Sequence, residues 1–176
     1  MLRRYFSSNS ARMVQVGQSL PKTTLFVKDP SDQFESGSIE PNSVIVTVPA
    51  AFSPTCSDTH VPGYLTRLKD LKSKNINHLY VVSVNDPFVT NAWKKTLLKS
   101  FSIDKTEVPV TFLADPKGDF IHGLDLDFDS AAVFGNNRSK RSALIIGSDG
   151  KVAKDFVEPD NTGLKVSAVD SVLKAL

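Results

Sequence analysis

Cys56 is the residue best equipped for covalent chemistry, and it is the one cysteine among 176 residues. A lone cysteine cannot close a disulfide within its own chain. It is either an inert buried side chain or a nucleophile. Its approach reads Pro49-Ala50-Ala51-Phe52-Ser53-Pro54-Thr55-Cys56. A β-branched run, Ser43–Val48, precedes this segment, and a helix is expected from near Cys56 toward Lys72. Cys56 then falls in a first helical turn, where unpaired N–H groups and the helix dipole favour an anion. That matters because the thiolate attacks, whereas a free thiol of pKa ~8.5 is mostly protonated at neutral pH. Ser53 offers a hydroxyl three residues earlier, able to hydrogen-bond a thiolate or an incoming oxygen. Pro49 and Pro54 stiffen the loop and remove backbone donors, which limits water. Two prolines and two hydroxyls around the sulfur argue against an ordinary core site.

The elements that must hold this segment can be read from periodicity. Ser43–Val48 and His78–Val84 have the length and composition of buried strands. In the helix after Cys56, Val61, Leu65, Leu68 and Leu71 keep helical spacing, and Pro62 should kink or interrupt its first turns. Pro87–Lys99 reads as a helix with Asp86 as cap and Pro87 at its first position. Lys28–Asn42 carries Pro30, Gly37 and Pro41 and reads as a long loop or broken hairpin. Val110–Leu113 is a short strand. Ala143–Ile146 and Val152–Phe156 flank the turn signal Ser148-Asp149-Gly150-Lys151, and Ser167–Leu176 closes as a helix. Strands alternating with helices and ending in a hairpin and a helix describe an α/β sandwich with a mixed sheet.

Length and composition fit one domain, residues 14–176, preceded by a short segment of different character. Met1–Met13 holds Arg3, Arg4 and Arg12 and no acid, the composition of a mitochondrial transit segment, or else of a plain tail. A positive segment is drawn toward the negative matrix side of a membrane potential. Matrix is therefore the first expectation for location and cytoplasm the second. Without those three arginines, 18 basic residues (21 − 3) face 19 acidic ones, which gives no footprint for nucleic acid. No apolar run approaches the ~18 residues of a membrane span. Asp125, Asp127 and Asp129 resemble the start of a calcium loop, but Ser130 and Asn136 stand where glycine and glutamate belong. Three scattered histidines and one cysteine give no metal spacing, and no cofactor is called for. His60, four residues after Cys56, could form a Cys–His pair on one helix face, but reads better as a packing or hydrogen-bonding residue.

Pro49-x-x-x-Ser53-x-x-Cys56 resembles the peroxiredoxin motif Pro-x-x-x-Thr/Ser-x-x-Cys. Its continuation, Ser57-Asp58-Thr59-His60-Val61-Pro62-Gly63-Tyr64, is similar to the type II peroxiredoxins, the smaller dimeric alkyl-hydroperoxide reductases. So are Val84–Val89 with Trp93, and Glu158-Pro159-Asp160 with Thr162-Gly163. The resemblance covers nearly all of the chain after residue 13. It implies a thioredoxin-like fold and a thiol peroxidase. It also implies that Arg141, just before the strand Ala143–Ile146, is the arginine that steadies the thiolate and the peroxide. Cys56, Ser53, Pro49 and Arg141 form the expected site, and the family suggests a homodimer.

Many relatives carry a second, resolving cysteine. Here neither Ser31–Glu40 nor Gly163–Ser167 contains one. A sulfenic acid on Cys56 must then be reduced by an external thiol: glutathione with glutaredoxin first, thioredoxin second. Two other classes stay open. A peroxide sensor would pass oxidation to a partner protein without efficient turnover. A chaperone or interaction module would be indifferent to Cys56.

Overall fold

The computed structural model describes residues 14–176, so the expected transit segment, residues 1–13, lies outside the described residues. The centre of the fold is β3 of a seven-stranded sheet, and the strands are best introduced around it. In chain order they are β1 (Thr24–Phe26), β2 (Gln33–Glu35), β3 (Ser43–Val48), β4 (His78–Ser83) and β5 (Val110–Ala114). A separate pair, β6 (Asp127–Phe128) and β7 (Arg138–Ser139), precedes β8 (Ser142–Ile146) and β9 (Val152–Val157). The sheet order is β2-β1-β5-β4-β3-β8-β9. β3, β4 and β5 run parallel, while β8 and β9 return antiparallel. The expected mixed sheet is therefore present.

All six residues of β3 are buried, because both faces of the sheet are covered. Alternation divides its side chains between two cores. Val44, Val46 and Val48 face one core with Val81 and Phe112. That core is closed by α1 (Val61–Leu65), α2 (Leu68–Ser73), α3 (Pro87–Ser100) and α6 (Val169–Ala175), through Tyr64, Leu71, Trp93 and Val172. Ile45 faces the other core with Tyr80, Val82 and Leu144, covered by α4 (Asp119–Gly123) through Phe120 and Ile121. A single-turn α5 (Ala131–Phe134) lies between β6 and β7.

The helix expected from Cys56 to Lys72 is broken into pieces. Helical turns begin at Pro54, widen to a π turn over Cys56–His60, return to α1, and stop before α2. In the wide turn the Val61 N–H reaches back to the Cys56 carbonyl. Pro62 follows at once and has no N–H to give, so the regular ladder could not have continued through it. Asp86 caps α3 as expected, its carboxylate accepting from the Val89 N–H at 2.9 Å, with Pro87 opening the helix. The stretch Lys28–Asn42, read as a long loop or broken hairpin, holds β2, which pairs antiparallel with β1 as a hairpin, and a 3-10 turn at Ser36–Ser38. Between β8 and β9 the chain reverses at Gly150, whose φ of +74° is open to glycine at little cost.

Leu71 on α2 has no exposed surface. Leu71→Ala should cost about 2–5 kcal/mol of stability, read as a lower urea midpoint. An unchanged midpoint would mean that this helical layer is not close-packed on the sheet.

Candidate active site

Cys56 lies in the first turn of the helix that starts after Ser53. The Ser57 N–H donates to the Ser53 carbonyl at 3.0 Å, the first bond of that ladder. The Cys56 N–H precedes it and has no backbone or side-chain acceptor among the described residues. It belongs to the set of donors a helix leaves free at its start. The sulfur itself has no exposed surface, with Cys56 at 0%. Pro49 is buried and follows directly on the last residue of β3.

Phe52 carries the chain into the turn at φ +62°, a left-handed backbone that a bulky L residue rarely adopts. The loop is held in this conformation by its neighbours. The Ala51 N–H donates to Asn85 Oδ1 at 3.0 Å, and the Ser53 hydroxyl donates to the Ala50 carbonyl at 3.0 Å. The Ser53 hydroxyl thus spends its proton on its own loop and makes no hydrogen bond to the sulfur. Its oxygen remains an acceptor for a proton from an incoming group. The indole of Trp93 on α3 steadies the same turn, donating to Ser57 Oγ at 3.0 Å.

Arg141 immediately precedes β8, the strand that pairs with β3 on the side away from β4. Its Nη1 lies 3.4 Å from Cys56 Sγ and 3.2 Å from His60 Nδ1. Its Nε donates to the Thr162 carbonyl at 3.0 Å. The Arg141 backbone is fixed as well, donating to the Asn161 carbonyl and accepting from the Glu158 N–H. The structure thus brings Cys56 and Arg141 together, with Ser53 on the loop just before Cys56 and Pro49 buried next to the end of β3. Arg138 and Lys140 go elsewhere. Arg138 donates to the Val84 carbonyl and lies over the Phe134 ring, and Lys140 points to the Asp125 carbonyl.

Behind the guanidinium lies a polar layer that spacing alone did not disclose. His60 Nε2 and the Tyr64 hydroxyl both meet the Ser167 carbonyl, at 3.1 and 2.6 Å. Glu158, buried, accepts at one oxygen from the N–H groups of Lys165, Val166 and Ser167 and from the Ser167 hydroxyl, each at 2.8 Å. Burial pushes the Glu158 carboxyl up, but these hydrogen bonds outweigh it and hold the group below its ordinary value. Burial and then the charge of Arg141 drive His60 down to about 3, against a smaller opposing pull from the Ser167 carbonyl and Glu158. Burial, with Glu158 nearby, raises the Tyr64 phenol. The helical spacing of Cys56, His60 and Tyr64 was the available signal for this layer. Glu158 was visible only as part of the family resemblance, and Ser167 gave no signal.

The arrangement can therefore offer the sulfur to a small electrophile, with one guanidinium beside it and one backbone N–H left free at the helix start. Among the described residues no group of three or more His, Cys, Asp or Glu side chains is arranged to hold a metal ion.

Comparison with known proteins agrees with this chemistry. Residues 15–173 match the family model described as Redoxin. The chain is similar to Peroxisomal membrane associated protein 20 of Schizosaccharomyces pombe, with 43% identity over 93% of this chain and 100% of that protein. It is 36% identical to Peroxiredoxin-2B of Arabidopsis thaliana over 93% of this chain and 98% of that one. Among solved structures, reduced Prx3 from Vibrio vulnificus in complex with hydrogen peroxide is 34% identical. It superposes with a TM-score of 0.79 over 93% of this chain and 100% of that one.

The buried imidazole sets a dependence on pH. Above about pH 6.5 it is neutral whether folded or unfolded. Below that, the unfolded chain takes up a proton that the folded chain refuses until about 3. Stability should therefore fall on acidification, by up to about 1.4 kcal/mol per pH unit. Urea denaturation at about pH 7.5 and 5 should show a loss about 2 kcal/mol larger in the wild type than in His60→Leu. Equal losses would mean that His60 is not held neutral.

Proposed function

The chain belongs to the redoxin family as a peroxiredoxin, a thiol-dependent peroxidase, and on that premise we propose that Cys56, Arg141, Ser53 and Pro49 carry the reaction and that an external thiol completes it. The observation that supports the assignment is the 3.4 Å approach of Arg141 Nη1 to Cys56 Sγ at a helix start.

The Cys56 thiolate attacks one peroxide oxygen in line with the O–O bond. A bond forms between sulfur and that oxygen, the O–O bond breaks, and the pair of electrons leaves on the distal oxygen. Arg141 and the Cys56 N–H stabilise charge on the oxygens. Ser53 orients the peroxide by accepting its proton in a hydrogen bond, and Pro49 keeps bulk water away. The distal oxygen takes up a proton and departs as water or an alcohol, leaving a sulfenic acid on sulfur. A thiol then condenses with the sulfenic acid, releasing water and forming a mixed disulfide, and a second thiol restores Cys56. With no other cysteine in the chain, both thiols come from outside. Glutathione with glutaredoxin is the proposed source, and thioredoxin the second.

A sensor reading has one observation in its favour. The sulfur is fully buried, which admits a small peroxide more easily than a reducing protein. The same proposal places the protein in the mitochondrial matrix, on the composition of residues 1–13, with the cytoplasm second. Fusion of those residues to a fluorescent protein tests it, and diffuse fluorescence would sink it. A homodimer is also proposed. Phe52 at 52% exposure and Phe88 at 63% leave apolar surface for a second copy to cover, and light scattering of the purified protein at monomer mass would exclude it.

With hydrogen peroxide and glutathione plus glutaredoxin, the wild type should turn over continuously and Cys56→Ser not at all. Arg141→Gln should lower the rate of Cys56 oxidation by about 10²–10³-fold. Sustained turnover by Cys56→Ser would overturn the assignment. A single oxidation of wild-type Cys56 without recycling by either thiol system would favour the sensor.

A further inference from the structure

We infer that His60 is a positioning residue for the peroxidase reaction, acting through Arg141 by accepting a hydrogen bond at Nδ1. This rests on the reading above in which Arg141 serves the reacting oxygens.

The chemistry of its two partners fixes the tautomer of His60. The Ser167 carbonyl can only accept, so the His60 Nε2 that meets it at 3.1 Å carries the hydrogen. A guanidinium can only donate, so the Nδ1 that meets Arg141 Nη1 at 3.2 Å presents its lone pair. The imidazole is therefore neutral and polarised in one direction, from the Ser167 carbonyl toward the guanidinium. Its shift below the ordinary histidine range agrees with this geometry.

The consequence lies in Nη1. Of the guanidinium nitrogens, this one touches the sulfur, and its two hydrogens point at Sγ and at Nδ1. The Nε contact to the Thr162 carbonyl anchors the near end of the group. The imidazole anchors the end that must face the peroxide. Remove the Nδ1 acceptor and the guanidinium keeps its charge but loses the second point that fixes its plane. His60 in turn is held from behind: its ring lies edge-on to Tyr64 at 5.7 Å, and the Ser167 carbonyl it shares with Tyr64 is set by the Glu158 carboxylate. His60 makes no hydrogen bond to Cys56 among the described residues. It is thus placed to act on the arginine and not as a base toward the thiol.

The two ring nitrogens can be imitated separately. His60→Asn puts an amide oxygen near the position of Nδ1 and gives up the reach to Ser167. His60→Gln keeps a donor near Nε2 and gives up the acceptor facing Arg141. His60→Leu gives up both. The readout is the second-order rate at which hydrogen peroxide protects Cys56 from alkylation, in the full chain and without any reductant. Urea midpoints are measured alongside.

His60→Asn should stay within about threefold of the wild type, while His60→Gln and His60→Leu slow by about ten- to a hundredfold. In an Arg141→Gln background, His60→Leu should cause no further loss. Equal rates for the Asn and Gln variants, or rates that follow the urea midpoints, would overturn the inference. So would an undiminished His60→Leu effect in the Arg141→Gln background. If Arg141→Gln alone keeps the wild-type rate, the reading of Arg141 fails and this assignment falls with it. If Arg141→Gln is slow and His60→Gln is not, only the present inference fails.

Discussion

Arg141 is buried, with 2% of its surface exposed, and a guanidinium cannot shed its proton to relieve the cost of leaving water. An isolated charge in such a place would cost several kcal/mol. The surrounding structure can be understood as the set of groups that makes this position tolerable. Thr162 gives a carbonyl, His60 a ring nitrogen, and Cys56 a polarisable sulfur. Two come from the single turn Cys56–His60 and one from the loop after β9, and none of the three is a carboxylate. An anion at Sγ completes the shell, so the charge that the fold buries is the same charge that a sulfur nucleophile requires.

Holding those groups in place demands a rigid loop after β9. This is the work of Glu158. One buried carboxylate oxygen gathers three successive backbone N–H groups and a hydroxyl, replacing water for a segment that has no sheet or helix to supply partners. Its other oxygen is buried and has no hydrogen-bond partner among the described residues. The negative charge of Glu158 thus stays close to His60 and Tyr64 and offsets part of the field of Arg141 at longer range. The loop delivers the Ser167 carbonyl to His60 and Tyr64, then enters α6, whose Val169 and Val172 pack in the same core as Cys56. Stability and site geometry therefore share the same few residues.

The approach to the sulfur shows a second kind of constraint. Phe52 occupies left-handed backbone that costs on the order of 1–3 kcal/mol. The loop persists there because Asn85 holds Ala51 and the Ser53 hydroxyl holds Ala50. The π turn that follows lets Pro62 lie inside a helix without leaving a broken ladder in the core. Strained loop, wide turn and helix start all lie within a few residues of Cys56.

The sequence by itself determined the nucleophile, because a single cysteine in a Pro-x-x-x-Ser-x-x-Cys approach has few rivals. It also determined β3, β4, α3 and the β8–β9 hairpin, because each carries its own periodicity, cap or turn signal within a short window. Arg141 was legible through the resemblance of its context, not through spacing, since it lies 85 residues from Cys56. The breaks in the helix after Cys56 were only half legible. Pro62 announced an interruption, but the form it took depends on packing against β3 and α6. The short elements β1, β2, α4 and α5 have too few residues to show a period. The hydrogen-bond partners of Glu158, Ser167 and His60 were decided by tertiary structure alone. A buried polar group acquires its function from the partner it meets, and these partners are distant in the chain and brought together only when β8, β9 and the Cys56 helix pack around one buried positive charge.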